Sequence, residues 1–527
     1  MSDSMKKFAA LLMALCLLLT GCGDSARDTQ DGDAEQVGTS GARPVTEKTA
    51  EDSVFSVNYD PEAGMNPIRS SSSTNSLLWS LVYDFVFTLD SDYSVSSEIV
   101  TRYETSDNKW WTFYIDTEVL FTDGSTLTAR DVVYSIQQAM QSAYYRNRLS
   151  LIYGISAMGE DCFAISTNYA NSYLPALLNV PVIKSGTIGE SSPPGSGPYR
   201  LSDDGGSLEL FTENRRCQEM PIDVIYLKSY NDTAEKISAF EASLIDIVTN
   251  DPTGMYNLGY GSSNEIRNYP TTNLHYIGFN MEGRFFQSNL ARHAIMYAVD
   301  RQWLVNEHMS GCASETRLPL PASSELYDRS YAEKFNYDLD RCFEFFESAN
   351  VGDLDGDGDL EMLVTGIVVE INIDFIVNND SSVKLQAARK LAEDLTSIGL
   401  TTTLRELSWS DYLEALDEGE YDMYYGEIRM TPDWNLACLF EEKNELNYAN
   451  CRDGSYSQLY YDYLAADTTG RYNAYQEVCR YVIENGGIVP ICFEGRQMLT
   501  HRGVVTGASP TQYDLFNKFS EWTIDMK

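Results

Sequence analysis

Four histidines, His275, His293, His308 and His501, make up the whole imidazole complement of the 527-residue chain. None pairs with another at metal-ligand spacing, and the patterns G-x-x-x-x-G-K, G-x-S-x-G and H-E-x-x-H are absent. Carboxylates are plentiful, 78 Asp and Glu against 38 Lys and Arg, but abundance alone nominates no acid–base pair. One ordered set of oxygen donors stands out: Asp353-x-Asp355-x-Asp357-Gly358-x-x-Glu361. Alternating carboxylates before a turn glycine match the first six positions of a calcium loop. The twelfth position is Val364, so Glu361 would have to close a shorter loop. Bound calcium is one reading, and an acidic turn leading into a strand is the other. No other cofactor is expected, and the inventory favours binding over catalysis.

The remaining chemical theme is aromatic, with 35 Tyr, 21 Phe and 7 Trp. Such side chains either fill cores or line amphipathic ligand clefts. Two segments combine them with polar groups. One runs from Tyr425 to Trp434 and holds Glu427, Arg429, Met430 and Asp433. The other is the serine run before Leu77, with Ser71, Ser72, Ser73 and Asn75. Hydroxyls and free N–H groups at a helix start can donate to a ligand acceptor, or can simply cap the helix. Trp434 can stack on a ligand or pack beneath a loop.

The elements that must position these residues are legible in the periodicity. Thr128-x-x-Asp131 is a capping box before Ala129, Val132, Val133, Ile136 and Met140 at helical spacing. Helices are also predicted over Asn75 to Phe85 and Asn289 to His308. From Leu363 to Ile428 the pattern alternates: strand over Val364 to Val377, helix over Ser381 to Ile398 with Gly399 as stop, strand over Thr401 to Leu407. A short helix capped by Ser408 and a strand over Tyr421 to Ile428 follow. Strand–helix–strand order implies an α/β lobe with a largely parallel sheet, and ligands meet such sheets beyond the strands' carboxyl ends. That rule points at the residues after Tyr425.

The beginning of the chain speaks to compartment. Lys6 and Lys7 precede an apolar stretch from Phe8 to Leu19, which is too short to span a bilayer but has the length of a signal-peptide core. It ends in Leu19-Thr20-Gly21-Cys22, which resembles the lipobox of bacterial lipoproteins, so Cys22 is the expected lipidation site. Residues 1–21 then form the signal peptide and 22–52 a polar tether with too few apolar residues to order itself. An acyl anchor would hold the protein on the outer face of the cytoplasmic membrane. The net charge of −40 excludes nucleic acid as a partner by repulsion. Eight cysteines remain beyond Cys22, none in a C-x-x-C pair, so disulfides and buried thiols are both open. The length exceeds what one hydrophobic core organises.

Several segments, in order, resemble the extracellular solute-binding proteins of family 5, the peptide- and nickel-binding receptors of ABC importers. Trp111-Thr112-Phe113, then Phe121-Thr122-Asp123-Gly124-Ser125-x-Leu127-Thr128-Ala129-Arg130-Asp131-Val132, is similar to the family signature. Gly195-Ser196-Gly197-Pro198-Tyr199 resembles its glycine–proline turn, and Ala291-Arg292-His293-Ala294-Ile295 with Ala298-Val299-Asp300-Arg301 its paired helical motif. The resemblance implies an α/β, two-lobe periplasmic-binding-protein-like fold of type II, cluster C-like, with an extra small domain at about 90–190. It places one lobe at 53–273 plus 488–527 and the other at 274–487, with crossings near Leu274–Asn280 and Gly487–Cys492. The implied function is capture of a small solute, an oligopeptide or peptide-like compound, by hinge closure. The implied partners are that ligand and the permease subunits, met by a monomer. A sensor or chaperone-like binder of the same fold is the alternative, with a lipid-anchored hydrolase behind it. In peptide receptors of the family an aspartate meets the free amine; counted by position, Met430 stands there, leaving Glu427 or Asp433 to supply the charge. Arg429 would instead favour an anionic group.

Overall fold

A computed structural model describes residues 54–252 and 264–526, apart from Ser310, Lys443, Glu445 and Asp453. The expected signal peptide, Cys22 and the tether lie outside the described residues.

Three large hydrophobic clusters organise this body. One is built from Phe55 to Phe85, Ile183 to Tyr269 and Met498 to Trp522. A second gathers Val86 to Val182, and the third runs from Leu274 to Phe493. The second surrounds the antiparallel sheet of Val100–Thr105, Trp110–Ile115, Cys162–Thr167 and Ile152–Ala157. This is the small extra domain, and the other two clusters are the lobes.

Among the described residues one eleven-stranded sheet joins both lobes. In the second lobe Ile373–Asn378 lies parallel to Thr402–Leu407 and to Met423–Arg429. In the first lobe Ser56–Asn58 lies parallel to Val224–Lys228 and to Ile247–Asn250. Two long antiparallel strands, Asn264–Phe279 and Ile488–His501, run from one lobe into the other. Their pairing slips between Pro270 and Leu274. Tyr269 and Met498 belong to the first core, Leu274 and Phe493 to the second. The passage between lobes is therefore Thr271–Asn273 against Glu494–Gly495, toward the strand middles from the expected Leu274–Asn280 and Gly487–Cys492. Gly495 is required there, because a Cβ would sit 1.8 Å from the Cys312 carbonyl oxygen.

Local signals hold where chain-neighbour forces dominate. Ala129–Ala139 is a helix with Asp131 accepting from the Thr128 N–H at 2.9 Å. Ser382–Ser397 is capped by Ser381, and Trp409–Glu418 by Ser408, with Gly419 left-handed at its end. Two expected helices are broken by tertiary bonds. The Asn75–Phe85 stretch becomes two single turns, Ser73–Ser76 and Trp79–Val82. The Val82 carbonyl accepts the Gly197 N–H at 2.9 Å, and a Cβ on Gly195 would fall 2.1 Å from the same oxygen. The glycine–proline turn thus ends the helix. The Asn289–His308 stretch divides into Asn289–Ala298 and Arg301–His308, with Asp300 capping the second by accepting from Trp303 N–H at 3.0 Å. The strand expected over Val364 to Val377 is a hairpin, Glu361–Val364 with Ile367–Glu370, followed by Ile373–Asn378. All eight cysteines from Cys162 to Cys492 are free thiols, six of them buried. Burial raises the Cys342 and Cys438 thiols to about 12, so they are inert packing groups.

Candidate functional site

The strand Met423–Arg429 carries the Tyr425–Trp434 segment out of the second lobe, where it meets the small domain and first lobe face to face. Trp434 N–H donates to Thr431 O at 2.9 Å, closing a turn that holds Trp434 at φ +56°. A bulky residue in the left-handed region is strained by about 1–3 kcal/mol. The turn aims the indole at Tyr93, with ring centroids 4.8 Å apart edge to face, while Phe493 lies 6.2 Å away on its own lobe. Trp434 is only 3% exposed. It packs across the seam between the lobes.

Asp433 is equally buried. Its carboxylate accepts from Asn171 Nδ2 of the small domain at 3.2 Å and from the Thr431 hydroxyl. Among the described residues no Lys or Arg pairs with it. Burial raises its pKa, against the lowering pull of the Thr431, Tyr460 and Asn171 hydrogen bonds. Met430, at the position expected for an amine-binding aspartate, packs into the core and donates its N–H to Thr272 O at 2.9 Å. The buried carboxylate of this segment therefore lies three residues further on. Glu427 is exposed but already engaged, by Lys384 and by Asn273 Nδ2 at 3.0 Å. Arg429 leans over the Tyr144 ring at 5.8 Å.

Tyrosines complete the seam. Tyr169 meets Tyr461 at 4.8 Å and Tyr173 meets Tyr463 at 5.5 Å, with the Arg471 guanidinium 4.6 Å from the Tyr173 ring. Ser172 N–H donates to Leu464 O at 2.9 Å. These partners come from the small domain, the helix Ser455–Ala465 and the start of the helix Arg471–Asn485, and none of these residues was nominated as a ligand contact from the sequence. The tyrosine density of Tyr144-Tyr145 and of Tyr460, Tyr461 and Tyr463 was the available signal.

The serine run plays a different part. Ser72 caps its helix by accepting from Asn75 N–H at 3.2 Å, and Ser71 and Ser73 are exposed. Asn75 is fully buried and donates to Asp60 O and Gly64 O, both at 2.7 Å, while accepting from Asp60 N–H at 2.8 Å. Its polar atoms are spent on stapling the 60–64 loop. A helix of four residues also lacks the aligned N–H groups that a ligand site there would need.

A polar knot sits where the long strands pass between lobes. His275 is fully buried; its Nδ1 lies 3.1 Å from the Tyr425 hydroxyl, and its Nε2 is 4.0 Å from Glu494 Oε2. Asn273 Nδ2 donates to Glu494 at 2.7 Å, and Arg496 Nε lies 3.3 Å from the same carboxylate. His275, Glu427 and Glu494 place ligand atoms within 4.8 Å of one another, as do Asp353, Asp355 and Glu361. Asp357 lies outside that acidic trio. In the acidic loop the carboxylates accept backbone N–H groups, Asp353 from Gly356 at 2.7 Å and Glu361 from Leu354 at 2.7 Å. Burial would raise the Glu494 pKa, but His275, Arg496 and Asn273 outweigh it and hold it at about 2. A depressed carboxylate contributes stability above its unfolded value and loses it as pH falls toward the folded one. Denaturant midpoints are thus expected to drop between pH 4.5 and 2, with Glu494→Gln costing about 3 kcal/mol at neutral pH and flattening that acid limb. An acid limb identical in the variant would remove Glu494 from the account.

Two surface hollows are also present. One of ≈ 340 Å³ is lined by Thr122–Gly124, Arg200 and Leu210–Glu213. The other, of ≈ 780 Å³, lies between the helix Leu339–Ser348 and the hairpin beyond it. None of the expected solute-binding residues lines either, while the candidate calcium ligand Asp353 lines the second.

Comparison with known proteins places this architecture. Residues 94–439 match the family described as bacterial extracellular solute-binding proteins, family 5. The oligopeptide-binding protein AppA of Bacillus subtilis is 21% identical over 97% of this chain and 97% of its own. Its structure with a nonapeptide superposes with a TM-score of 0.61 at 18% identity, covering 89% of this chain and 98% of that one. The ABC transporter substrate-binding protein CtaP of Listeria monocytogenes gives a TM-score of 0.72 at 19% identity, over 90% and 99% of the two chains. A putative peptide-binding protein AppA from Clostridium difficile gives 0.71 at 17% identity, over 89% and 100%. By sequence family and by its two-lobe fold with a small extra domain, this chain belongs to the family 5 bacterial extracellular solute-binding proteins.

Proposed function

We propose that the protein is the substrate-binding component of an ABC importer, a binder rather than an enzyme. It takes an oligopeptide or peptide-like solute between its lobes and presents the closed form to membrane permease subunits as a monomer. Asp433 carries this reading. A desolvated carboxylate with no cation beside it is unfavourable for folding alone. Placed on the seam within a shell of tyrosines, it suits the ammonium group of a ligand that enters when the lobes part. Glu427 is the weaker candidate because Lys384 already neutralises it. The peptide-binding names of the relatives agree with this chemistry. The test is native mass spectrometry of the protein purified without denaturation, followed by identification of any released compound. An amine-bearing peptide or peptide-like adduct is expected. A released solute without an amine, or a ligand that the protein consumes, would overturn the proposal.

The same reading includes a lipid anchor at Cys22. Cys22→Ser is expected to move the protein from the detergent phase to the aqueous phase, or to leave the 1–21 segment uncleaved. Unchanged partitioning together with an unchanged N-terminal mass would remove the anchor.

A further inference from the structure

Three adjacent strands each send one metal-ligating side chain to a single point beside the passage between lobes. His275 comes from Asn264–Phe279, Glu427 from Met423–Arg429 directly opposite it, and Glu494 from Ile488–His501 on the other side. Their ligand atoms lie within 4.8 Å of one another. The two carboxylates are held in the same manner. Lys384 pairs with Glu427 Oε2, and Arg496 Nε lies 3.3 Å from Glu494 Oε1. The other oxygens, Glu427 Oε1 and Glu494 Oε2, turn inward and share the Asn273 amide, at 3.0 and 2.7 Å. Glu494 Oε2 is also 4.0 Å from His275 Nε2. His275 is fully buried, and among the described residues this nitrogen has no hydrogen-bond partner. A buried polar atom left unpaired disfavours folding and calls for a reason. The opposite face of the ring supplies one. Nδ1 lies 3.1 Å from the Tyr425 hydroxyl. With the proton on Nδ1 and donated to that oxygen, Nε2 presents a lone pair to the two carboxylates. Metal-binding histidines are fixed in this way by a hydrogen bond at their second nitrogen.

We propose that His275, Glu427 and Glu494 form a site for a resident divalent ion of the zinc class, which acts as a clasp across the lobe-crossing strands. The inference goes beyond the solute reading and does not depend on it. One imidazole with two carboxylates suits zinc and its first-row neighbours, whereas calcium and magnesium take all-oxygen shells. Zinc bonds of about 2.0–2.2 Å set tetrahedral ligand atoms about 3.4 Å apart. The 4.0 Å between His275 and Glu494 closes on that distance with a small side-chain shift. The Asn273 amide gives way, and turning it over offers its Oδ1 as a fourth ligand. Lys384 and Arg496 keep the outer oxygens and orient both carboxylates. Glu427 is the exposed member, so the ion enters from its side. Once bound, the ion ties both crossing strands to the strand that carries Tyr425–Trp434.

The probe is zinc chloride, titrated into the whole protein after EDTA treatment, in competition with a chromogenic chelator. One ion per chain is expected to bind more tightly than the background of surface carboxylates. The thermal midpoint should rise with the logarithm of free zinc. His275→Gln and Glu427→Gln should each weaken this site by at least about 100-fold, and Tyr425→Phe, which removes only the orienting hydroxyl, by about 10-fold. If His275→Gln does not fold, Glu427→Gln decides, because that side chain sits at the exposed edge of the knot. No binding above the surface background would overturn the clasp. So would a site that survives either substitution of a ligand, or one lost instead on Asp353→Asn/Asp355→Asn in the acidic loop.

Discussion

Asp433→Asn is expected to lower affinity for the native ligand by about 100-fold while leaving the empty protein as stable or more stable. Truncating one member of a buried charge pair in a complex costs about 2–5 kcal/mol, and a factor of 100 is about 2.7 kcal/mol. The stability half follows from the environment. Burial raises the Asp433 pKa in the folded state. A raised carboxylate favours folding when protonated, so the ionised form subtracts stability above its folded pKa and returns it as pH falls through that value. Asparagine removes the charge and keeps an acceptor for Asn171 Nδ2, 3.2 Å away in the parent. A binding residue that weakens its own scaffold is the usual trade between stability and function. The pH dependence runs the other way for binding: affinity for an ammonium ligand falls as Asp433 protonates. Calorimetry across pH and a thermal melt of the empty variant read both effects. A variant that binds normally, or that loses binding only because it unfolds, would move the amine anchor away from Asp433.

Arg301→Ala is expected to destabilise the protein by about 3–5 kcal/mol, without touching a ligand. Arg301 is 2% exposed and serves as a hub for carbonyl groups. Its Nε donates to Pro490 O at 2.7 Å, and Nη1 reaches Met296 O at 3.2 Å with Val299 O and Phe335 O at 3.4 Å. These carbonyls come from the last turn of the helix Asn289–Ala298 and the break after it, the helical turn Glu333–Phe335, and a lobe-crossing strand. Burial lowers its pKa only to about 10, so it stays charged at neutral pH. Alanine leaves the acceptors dry and unpaired as well as a cavity. Lysine restores the charge but not the planar fan of donors, so Arg301→Lys should recover only part of the loss. Urea titration measures both. A loss below about 1 kcal/mol for alanine would mean that water reaches these carbonyls.

Much of the scaffold was readable because it is set by neighbours along the chain. The capping residues Ser381 and Ser408, the stop at Gly399 and the strand before Arg429 answer to hydrogen bonds and side-chain periods within one or two turns. The same holds for the Thr128–Asp131 box. The ordered family motifs carried the two-lobe architecture, and they also marked residues whose reason is tertiary. Gly195 and Gly197 make room against Val82, and Arg301 gathers distant carbonyls.

The candidate site divides along the same line. The segment Tyr425–Trp434 was legible as a strand end in an α/β lobe, which is where such folds present their side chains. What faces it was not. Asn171 and Asp433 are 262 positions apart, and Tyr93 meets Trp434 only where the lobes pack together. No local pattern encodes such a meeting. His275 and Glu494 did leave a trace, as lone polar residues inside apolar strand runs, but the trace does not say that the two stand 4.0 Å apart. Asn75 shows the converse: polar by type and placed beside serines, it is consumed by the 60–64 loop. Residue type and spacing determined which groups could bind, stack or cap. Only the packing of one lobe on the other decided which polar groups it brought together, as Asn171 with Asp433, and which were spent on the scaffold, as Asn75.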